Sequence, residues 1–284
     1  MTVRIAQVSD AHLSERRPFF AANFARVADA IRASAPDLVL ATGDLSLAGA
    51  DADSDAELAH ALAEHARIGP ELACVPGNHD VGNEPALGRS VATPERVARW
   101  RRVAGPSAWV RDLPGWRLIG WDCQGVDLDE GAWETIERGL RDAGGRSVAL
   151  VQHKPLLVEH PDETGAGYWA LMQGTRARLR ALLAAVRPAV SISGHVHQWR
   201  DRTLDGTRHV WAPSTAFILG DAYQPAFGAK LIGWVEHAFH ADGSHDARLR
   251  TVDGARLDDL GEMPQVYRPL PRLDAQPDLW AVKS

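Results

Sequence analysis

Short apolar runs alternate with longer segments of helical period through much of the chain. Residues 3–8 read as a buried strand that stops at Ser9-Asp10. Residues 21–33 are alanine-rich with helical spacing, and Pro36 ends them ahead of a second strand at 37–41 (DLVLA). A helix at 55–67 and a strand at 71–75 complete a β-α-β-α-β order, which points to an α/β fold with neighbouring parallel strands. The pattern resumes with strands at 116–121, 147–152 and 189–193 and helices at 132–142 and 175–186. Beyond them, residues 199–204 and 208–212 flank an Asp-Gly turn and predict a hairpin. Residues 230–240 and 247–252 are also strand-like, and the Pro-rich polar tail from Gly261 is expected to wrap the surface.

The chain has 284 residues, enough for one large domain or a domain with a small appendage. With 45% hydrophobic and 24% charged residues it has the balance of a soluble globular protein. The net charge of -6 argues against a polyanion-binding surface. The densest basic run, Arg96, Arg99, Arg101 and Arg102, reads as a solvated helix face. Cys74 and Cys123 lie in apolar strand-like runs, as buried free thiols do, and no spacing suggests a zinc ribbon. The first residues lack the apolar core of a signal peptide, and no stretch is long and apolar enough to span a bilayer. A cytoplasmic protein without a membrane partner is expected.

The chemistry follows the strands. Asp10 and His12 come after the first (D-A-H), Gly43 and Asp44 after the second, and Gly77, Asn78, His79 and Asp80 after the third (G-N-H-D). His153 follows the strand ending at Gln152, and Gly194, His195 and His197 (G-H-V-H) follow the next. Ligands of α/β sheets bind outside the carboxyl ends of the strands, so these clusters should meet at one sheet edge. So many buried ionisable groups need pairing or a metal. Imidazole and carboxylate suit zinc, manganese or iron, and seven side chains exceed one tetrahedral ion but fit two that share a carboxylate. Each motif alone is weak, since a lone His is usually structural; the full order is specific. Glycines 43, 77 and 194 permit sharp turns beside the ions.

In this order the motifs resemble the calcineurin-like metallophosphoesterases, and within them the class III cyclic-nucleotide phosphodiesterases and glycerophosphodiesterases. The resemblance covers about the first three-quarters of the chain, in keeping with one catalytic domain. It implies an α/β fold of two packed mixed β-sheets flanked by helices, a four-layer αββα sandwich. Residues 1–220 would be the catalytic domain, with 221–284 completing or capping it. Carried over, Asp10, His12, Asp44 and His197 would hold one metal, and Asp44, Asn78, His153 and His195 the other, with Asp44 bridging. His79 would be catalytic, facing the phosphate, and Asp80 would orient it by a hydrogen bond. Lys154 departs from the family, where a second His often precedes the proline; it would leave the metals alone but bear on substrate contacts.

Such a site implies hydrolysis by in-line attack of metal-bound hydroxide, a two-metal site lowering the pKa of water from near 16 to about neutrality in the best cases. His79 would supply the leaving oxygen with a proton. The expected substrate is a small phosphodiester, a cyclic nucleotide or glycerophosphodiester. A monoesterase, pyrophosphatase or nuclease on the same scaffold is the alternative, with a non-catalytic metal-binding scaffold behind it. Substrate-binding residues stay open. Arg16, Arg17, Phe19 and Phe20 could meet substrate, although a solvated loop with a hydrophobic helix entry is favoured. The loop from His153 to Met172 carries His160, Tyr168 and Trp169, and the last two could wall a pocket or simply pack the loop. Trp116, Trp121, Trp211 and Trp234 are expected in the core, Trp100, Trp109 and Trp133 as helix anchors, and Trp199 as the tryptophan to test for substrate contact. Arg176, Arg178 and Arg180 read as an exposed helix face, and His60, His65, His209, His237, His240 and His245 as surface or structural. The C-terminal strands could extend a sheet, cap the site or pair with a second subunit in a homo-oligomer.

Overall fold

The computed structural model describes residues 1–51, 55–163, 168–267 and 270–275. In chain order the elements are β1 (Thr2–Val8), α1 (Ala21–Ser34), β2 (Leu38–Thr42), α2 (Asp55–Ala66), β3 (Leu72–Val75), α3 (Asn78–Val81), α4 (Pro94–Ala104), β4 (Ala108–Leu113), β5 (Trp116–Trp121), α5 (Glu130–Arg141), β6 (Ser147–Val151), α6 (Gln173–Leu183), β7 (Val190–Ser193), β8 (Gln198–Leu204), β9 (Thr207–Trp211), β10 (Ala229–Lys230), β11 (Gly233–His240) and β12 (His245–Thr251). They build two mixed sheets, one ordered β12-β11-β1-β2-β3 and the other β10-β8-β9-β7-β6-β5-β4.

The period of two along each strand decides what lies on either face. In β2, Leu38 and Leu40 enter the core between the sheets, while Val39 and Ala41 face α1, α2 and α4 through Val27, Ile31, Leu58 and Trp100. In the second sheet Leu118, Ala149 and Val151 face the first sheet, and Ile119, Val148 and Leu150 meet Ile136 and Leu140 of α5 and Leu179 of α6. The result is a four-layer αββα sandwich. Strands buried on both faces read as continuous apolar runs, which is why they were legible in sequence.

Three elements differ from the sequence pattern. The strand expected at 230–240 is two strands in different sheets: β10 pairs with β8, while β11 pairs antiparallel with β1. An apolar run cannot reveal a change of sheet. β4 was not foreseen because AWVRDL alternates half-exposed and exposed positions, as an edge strand does. Trp109 therefore lies in a strand and not on a helix, and its indole donates to the Cys74 carbonyl (2.8 Å). Helix α4 opens with a signal that sequence does carry: the Thr93 hydroxyl accepts from the Arg96 amide (3.3 Å), followed by Pro94.

Cys74 and Cys123 are both free, the latter buried. Among the described residues no helix is long and apolar enough to cross a membrane. The expected surface tail falls partly outside the described residues. Its described part does more than wrap, because Tyr267, Leu270 and Pro271 line a cavity of about 680 Å³.

Candidate metal centre

The motif residues leave two sheets, not one. β1, β2 and β3 are parallel neighbours in the first sheet, and β6 and β7 in the second. Their carboxyl ends meet because the loops beyond them are tied by backbone hydrogen bonds. Asp10 N donates to Gly43 O (3.1 Å), His12 N to Asp44 O (3.0 Å) and Gly194 N to His153 O (2.8 Å). The sheets are joined where His195 N donates to Asp10 Oδ2 (3.0 Å).

This convergence brings three sets of potential ligand atoms together: Asp10, His12 and His197; His12, Asp44 and His79; and Asp44, His153 and His195, the atoms of each set within 4.8 Å of one another. Asp44 Oδ2 lies 3.7 Å from His12 Nε2 and 3.4 Å from His153 Nε2. His197 Nε2 lies 3.3 Å from Asp10 Oδ1, and Asn78 Oδ1 is 3.2 Å from His153 Nε2. All of the expected ligands thus share one place. His79 stands close to it as well, its ring edge-on to His12 at 4.6 Å, so distance alone does not set it apart from the ligands.

Backbone conformation marks the same residues. Among the described residues, positive φ is held by eight non-glycine positions, and five of them are Asp10, His12, Asp44, His195 and His197. Left-handed backbone disfavours side chains, and its concentration here means the surrounding structure enforces it. Gly43 adopts φ 90° beside the His153 ring. At Gly77 a Cβ would run into the Asp44 carboxylate, so only glycine lets the third loop close on that side chain.

The hydrogen bonds of the histidines test whether ions fit. His197 Nδ1 must donate to Phe217 O (3.0 Å), His153 Nδ1 to Thr42 O (2.7 Å) and His195 Nε2 to Tyr168 O (2.8 Å), since carbonyls only accept. In neutral rings the opposite nitrogens are then bare lone pairs, and they point into the cluster. His195 Nδ1 faces His153 Nε2 at 3.2 Å, and His12 Nε2 faces His197 Nε2 at 3.3 Å. Asp10 Oδ1 and His12 Nδ1 are buried and take no hydrogen bond. Carbonyl-anchored imidazoles with converging lone pairs are what metal ligation requires, and the residues fit bound metal ions.

Without ions the cluster is electrostatically divided. Burial disfavours the His153 cation, but Asp44 and Asp10 outweigh it and push its pKa up to about 9. His197 is likewise raised, against burial, by Asp10. Burial and neighbouring His79 hold His12 low, and burial and His153 hold His195 low. Burial opposes ionisation of Asp44, but His153 and His79 keep its carboxyl well below the usual range. Protons are thus retained where carboxylates lie, and cations binding there would displace them.

Asp80 does not orient His79. Its carboxylate accepts from Leu45 N (3.1 Å), Ser46 N (3.0 Å), Ser46 Oγ (2.7 Å) and Gly77 N (2.9 Å), bracing the second and third loops. Burial, and then Asp44, push its pKa up to about 6. His79 is oriented instead by donating Nδ1–H to Leu47 O (2.8 Å). Nothing in sequence could have shown that a carbonyl replaces the neighbouring acid.

A cavity of about 680 Å³ opens over the cluster, lined by His12, Asp44, Asn78, His79, His195 and His197. Tyr168 and Trp169 are wall residues, and Arg17 reaches the cavity. Arg16, Phe19 and His160 do not, and Phe20 is buried against Phe217 (4.7 Å) as a hydrophobic helix entry. Tyr168 also reaches a candidate ligand: its hydroxyl accepts from Asn78 Nδ2 (3.4 Å). Trp199 is not on the wall; it is half-buried in β8 against the core between the sheets. Arg176 is buried and paired with Glu163 (3.1 Å) and is no part of an exposed face. Lys154 is buried and paired with Glu84 (2.8 Å), which also accepts from Met172 N (3.2 Å), so it clamps the Tyr168 loop from beneath and does not line the cavity. Sequence reasoning missed Asn83, Arg89, Phe217, Tyr223 and Tyr267 on the wall. They lie on loops without motif spacing, where only tertiary packing declares a role.

The fold, the ligand cluster and the cavity define a metal-dependent phosphoester hydrolase, and the chain belongs to the calcineurin-like phosphoesterases, whose family pattern it matches over residues 3–199. It is 30% identical over 276 residues to the 3′,5′-cyclic adenosine monophosphate phosphodiesterase CpdA of Escherichia coli K12, covering 90% of this chain and 92% of that protein. A probable cyclic nucleotide phosphodiesterase of Synechococcus is 26% identical, covering 89% of this chain and 94% of its own length. In fold the chain is similar to a purple acid phosphatase from yellow lupin, with TM-score 0.61 at 15% identity, covering 91% of this chain and 53% of that one.

Proposed function

We propose that the chain is a two-metal-ion phosphodiesterase acting on a cyclic nucleotide. The observation that carries this reading is the place of Asp44, which belongs both to the set with His12 and to the set with His153 and His195. A carboxylate common to two sets is what a bridging ligand requires. Asp10, His12, Asp44 and His197 would hold one ion, and Asp44, Asn78, His153 and His195 the other. The mixed imidazole, carboxylate and amide donors suit manganese, iron or zinc. When bound, such ions supply Lewis acidity to the phosphoryl oxygens and make water a stronger acid.

The protein's own part is positioning and proton transfer. Asp80 and the loop hydrogen bonds hold the ligand carboxylates in place. With Nδ1–H committed to Leu47 O, His79 has Nε2 left to exchange a proton, and its ring lies on the cavity wall. Water adds to phosphorus in line with the leaving oxygen, the bond from phosphorus to that oxygen breaks, the His79 imidazolium gives its Nε2 proton to that oxygen, and the proton the water gives up returns through solvent to His79. The cyclic nucleotide is supported by the Escherichia coli relative, whose named substrate is cyclic AMP and which aligns along nearly its whole length.

The test is turnover after reconstitution with manganese, using 3′,5′-cyclic AMP, a glycerophosphodiester and a phosphomonoester. The cyclic nucleotide should have the highest kcat/KM. Turnover of the monoester alone, or none from protein carrying two metals per chain, would sink the reading.

A further inference from the structure

The cavity is lined from two parts of the chain. His12, Asp44, Asn78, His79, His195 and His197 form its floor, and Arg17, Asn83, Arg89, Tyr168 and Trp169 line it from the same part of the chain. The other side is built by Phe217, Leu219, Tyr223, Leu260, Tyr267 and Leu270. All six lie beyond residue 199, where the family match ends. Two aromatic rings carry this wall down to the floor: Phe217 is 4.8 Å from the His12 ring and 4.5 Å from His197, and Tyr267 is 6.0 Å from His79.

The wall is built into the fold. Asn23 Nδ2 donates to Ala216 O and Arg256 O (both 2.8 Å), and its Oδ1 accepts from Arg256 N (2.8 Å), so α1 fastens both segments. Ile218 N donates to Asp258 O (2.9 Å) and Leu260 N to Ile218 O (3.0 Å). Gly220 N donates to Asp259 Oδ1 (2.9 Å), and Leu273 N to Ala222 O (2.9 Å) beyond the cavity. Beneath the wall Phe20, Phe217, Leu260 and Val266 are buried together, with Tyr267 and Leu270 packed against them.

An apolar and aromatic wall beside a phosphate-handling floor suits a substrate with one anionic end and one flat, uncharged end. A glycerophosphodiester has no such end. Pockets of this volume commonly hold small organic ligands, and aromatic side chains bind bases through their faces.

We propose that the segments 217–223, 260–267 and 270–271 form a nucleobase subsite, so that base recognition comes from the C-terminal part of the chain and the reaction from the part before it. Tyr267 and Tyr223 are its specificity-determining residues. The proposal rests on the reading of the chain as a cyclic-nucleotide phosphodiesterase.

The test compares manganese-reconstituted wild type with Tyr267→Ala and Tyr223→Ala on two substrates, 3′,5′-cyclic AMP and the 3′,5′-cyclic phosphate of methyl riboside, which lacks the base. Wild type should prefer the nucleotide by at least about tenfold in kcat/KM, the scale of one base–aromatic contact. The alanine variants should lower that preference several-fold, mainly through KM for the nucleotide. Tyr267→Phe, which keeps the ring, should restore it; a folding defect would lower turnover of both substrates together and leave the ratio intact. Equal turnover of the two substrates by wild type, or a ratio unmoved in both alanine variants, would overturn the subsite and leave the phosphodiesterase standing. Failure of wild type on both substrates while it carries two metals would overturn both proposals.

Discussion

The molecule buries two groups of histidines, and they solve the same problem in opposite ways. Between the sheets, His237 Nδ1 meets His245 Nε2 (2.9 Å) and His237 Nε2 meets Gln7 Oε1 (2.9 Å). Gln7 Nε2 donates to Thr42 Oγ1 and Ser193 O (both 3.0 Å), which sets the amide orientation. His237 must therefore donate from Nε2 and accept at Nδ1, so His245 donates from Nε2 and turns Nδ1 to Arg208 (3.4 Å). Along this chain every donor has an acceptor. At the strand ends the outward nitrogens are anchored just as firmly, to Phe217, Thr42 and Tyr168 carbonyls, but the inward ones face each other. The first arrangement is complete within the protein; the second becomes complete with cations. A count of histidines or their burial does not distinguish the two, but the direction of each lone pair does.

Substitutions can break this contrast, and the largest effect is expected at Asp44. Asp44→Ala should remove both ions, measured as metal content per chain, and depress turnover by more than the roughly 100-fold that an outer hydrogen-bond partner is worth. His79→Ala should keep two metals per chain and lower kcat by about 10²–10⁴, the span of general acid catalysis. Loss of a metal in that variant would place His79 among the ligands, a role its closeness to His12 and Asp44 leaves physically open. Tyr168→Phe removes the hydroxyl that holds the Asn78 amide, and metal affinity measured by competition with a chelator should fall by about tenfold.

The inter-sheet chain should respond in stability and not in chemistry. His237→Leu leaves Gln7 Oε1 and His245 Nε2 without their partner, and urea unfolding should show a loss of about 1–3 kcal/mol, with metal content unchanged. Its pH dependence has a definite sign. Burial first, and then Arg208, press the His245 pKa down to about 3, while burial and His245 hold His237 low. The unfolded chain then binds more protons than the native one between about pH 6.5 and 3. This contribution to stability is full above about pH 6.5 and fades as pH falls toward 3. Asp80, raised to about 6 by burial and Asp44, acts oppositely, favouring the native state at low pH and losing that effect as pH rises through 6. The smallest expected effect is a shallower acid limb in the urea midpoints of His245→Ala; an unchanged limb would remove these histidines from the acid response.

Most motif residues were legible because they follow strands buried on both faces, and such strands announce themselves as apolar runs. Edge strand β4 lacks that signature, and the change of sheet at 231–232 leaves no mark in composition. Asp80 shows the same limit at the site. Its adjacency to His79 suggested an orienting pair, yet four donors from two loops claim its carboxylate. Trp199 comes two residues after G-H-V-H, but strand alternation turns it into the core between the sheets.

By itself, then, the sequence determined most of the order of elements and the identity of the residues that gather at the strand ends, because local periodicity sets the buried strands and the motifs ride on their ends. Only the tertiary structure decided that two sheets, not one, supply those ends, that Leu47 aims His79, and that a wall from the last part of the chain faces the cluster. Those outcomes depend on contacts between residues far apart in sequence, such as His79 with Tyr267 and Asn23 with Arg256, and no local pattern encodes them.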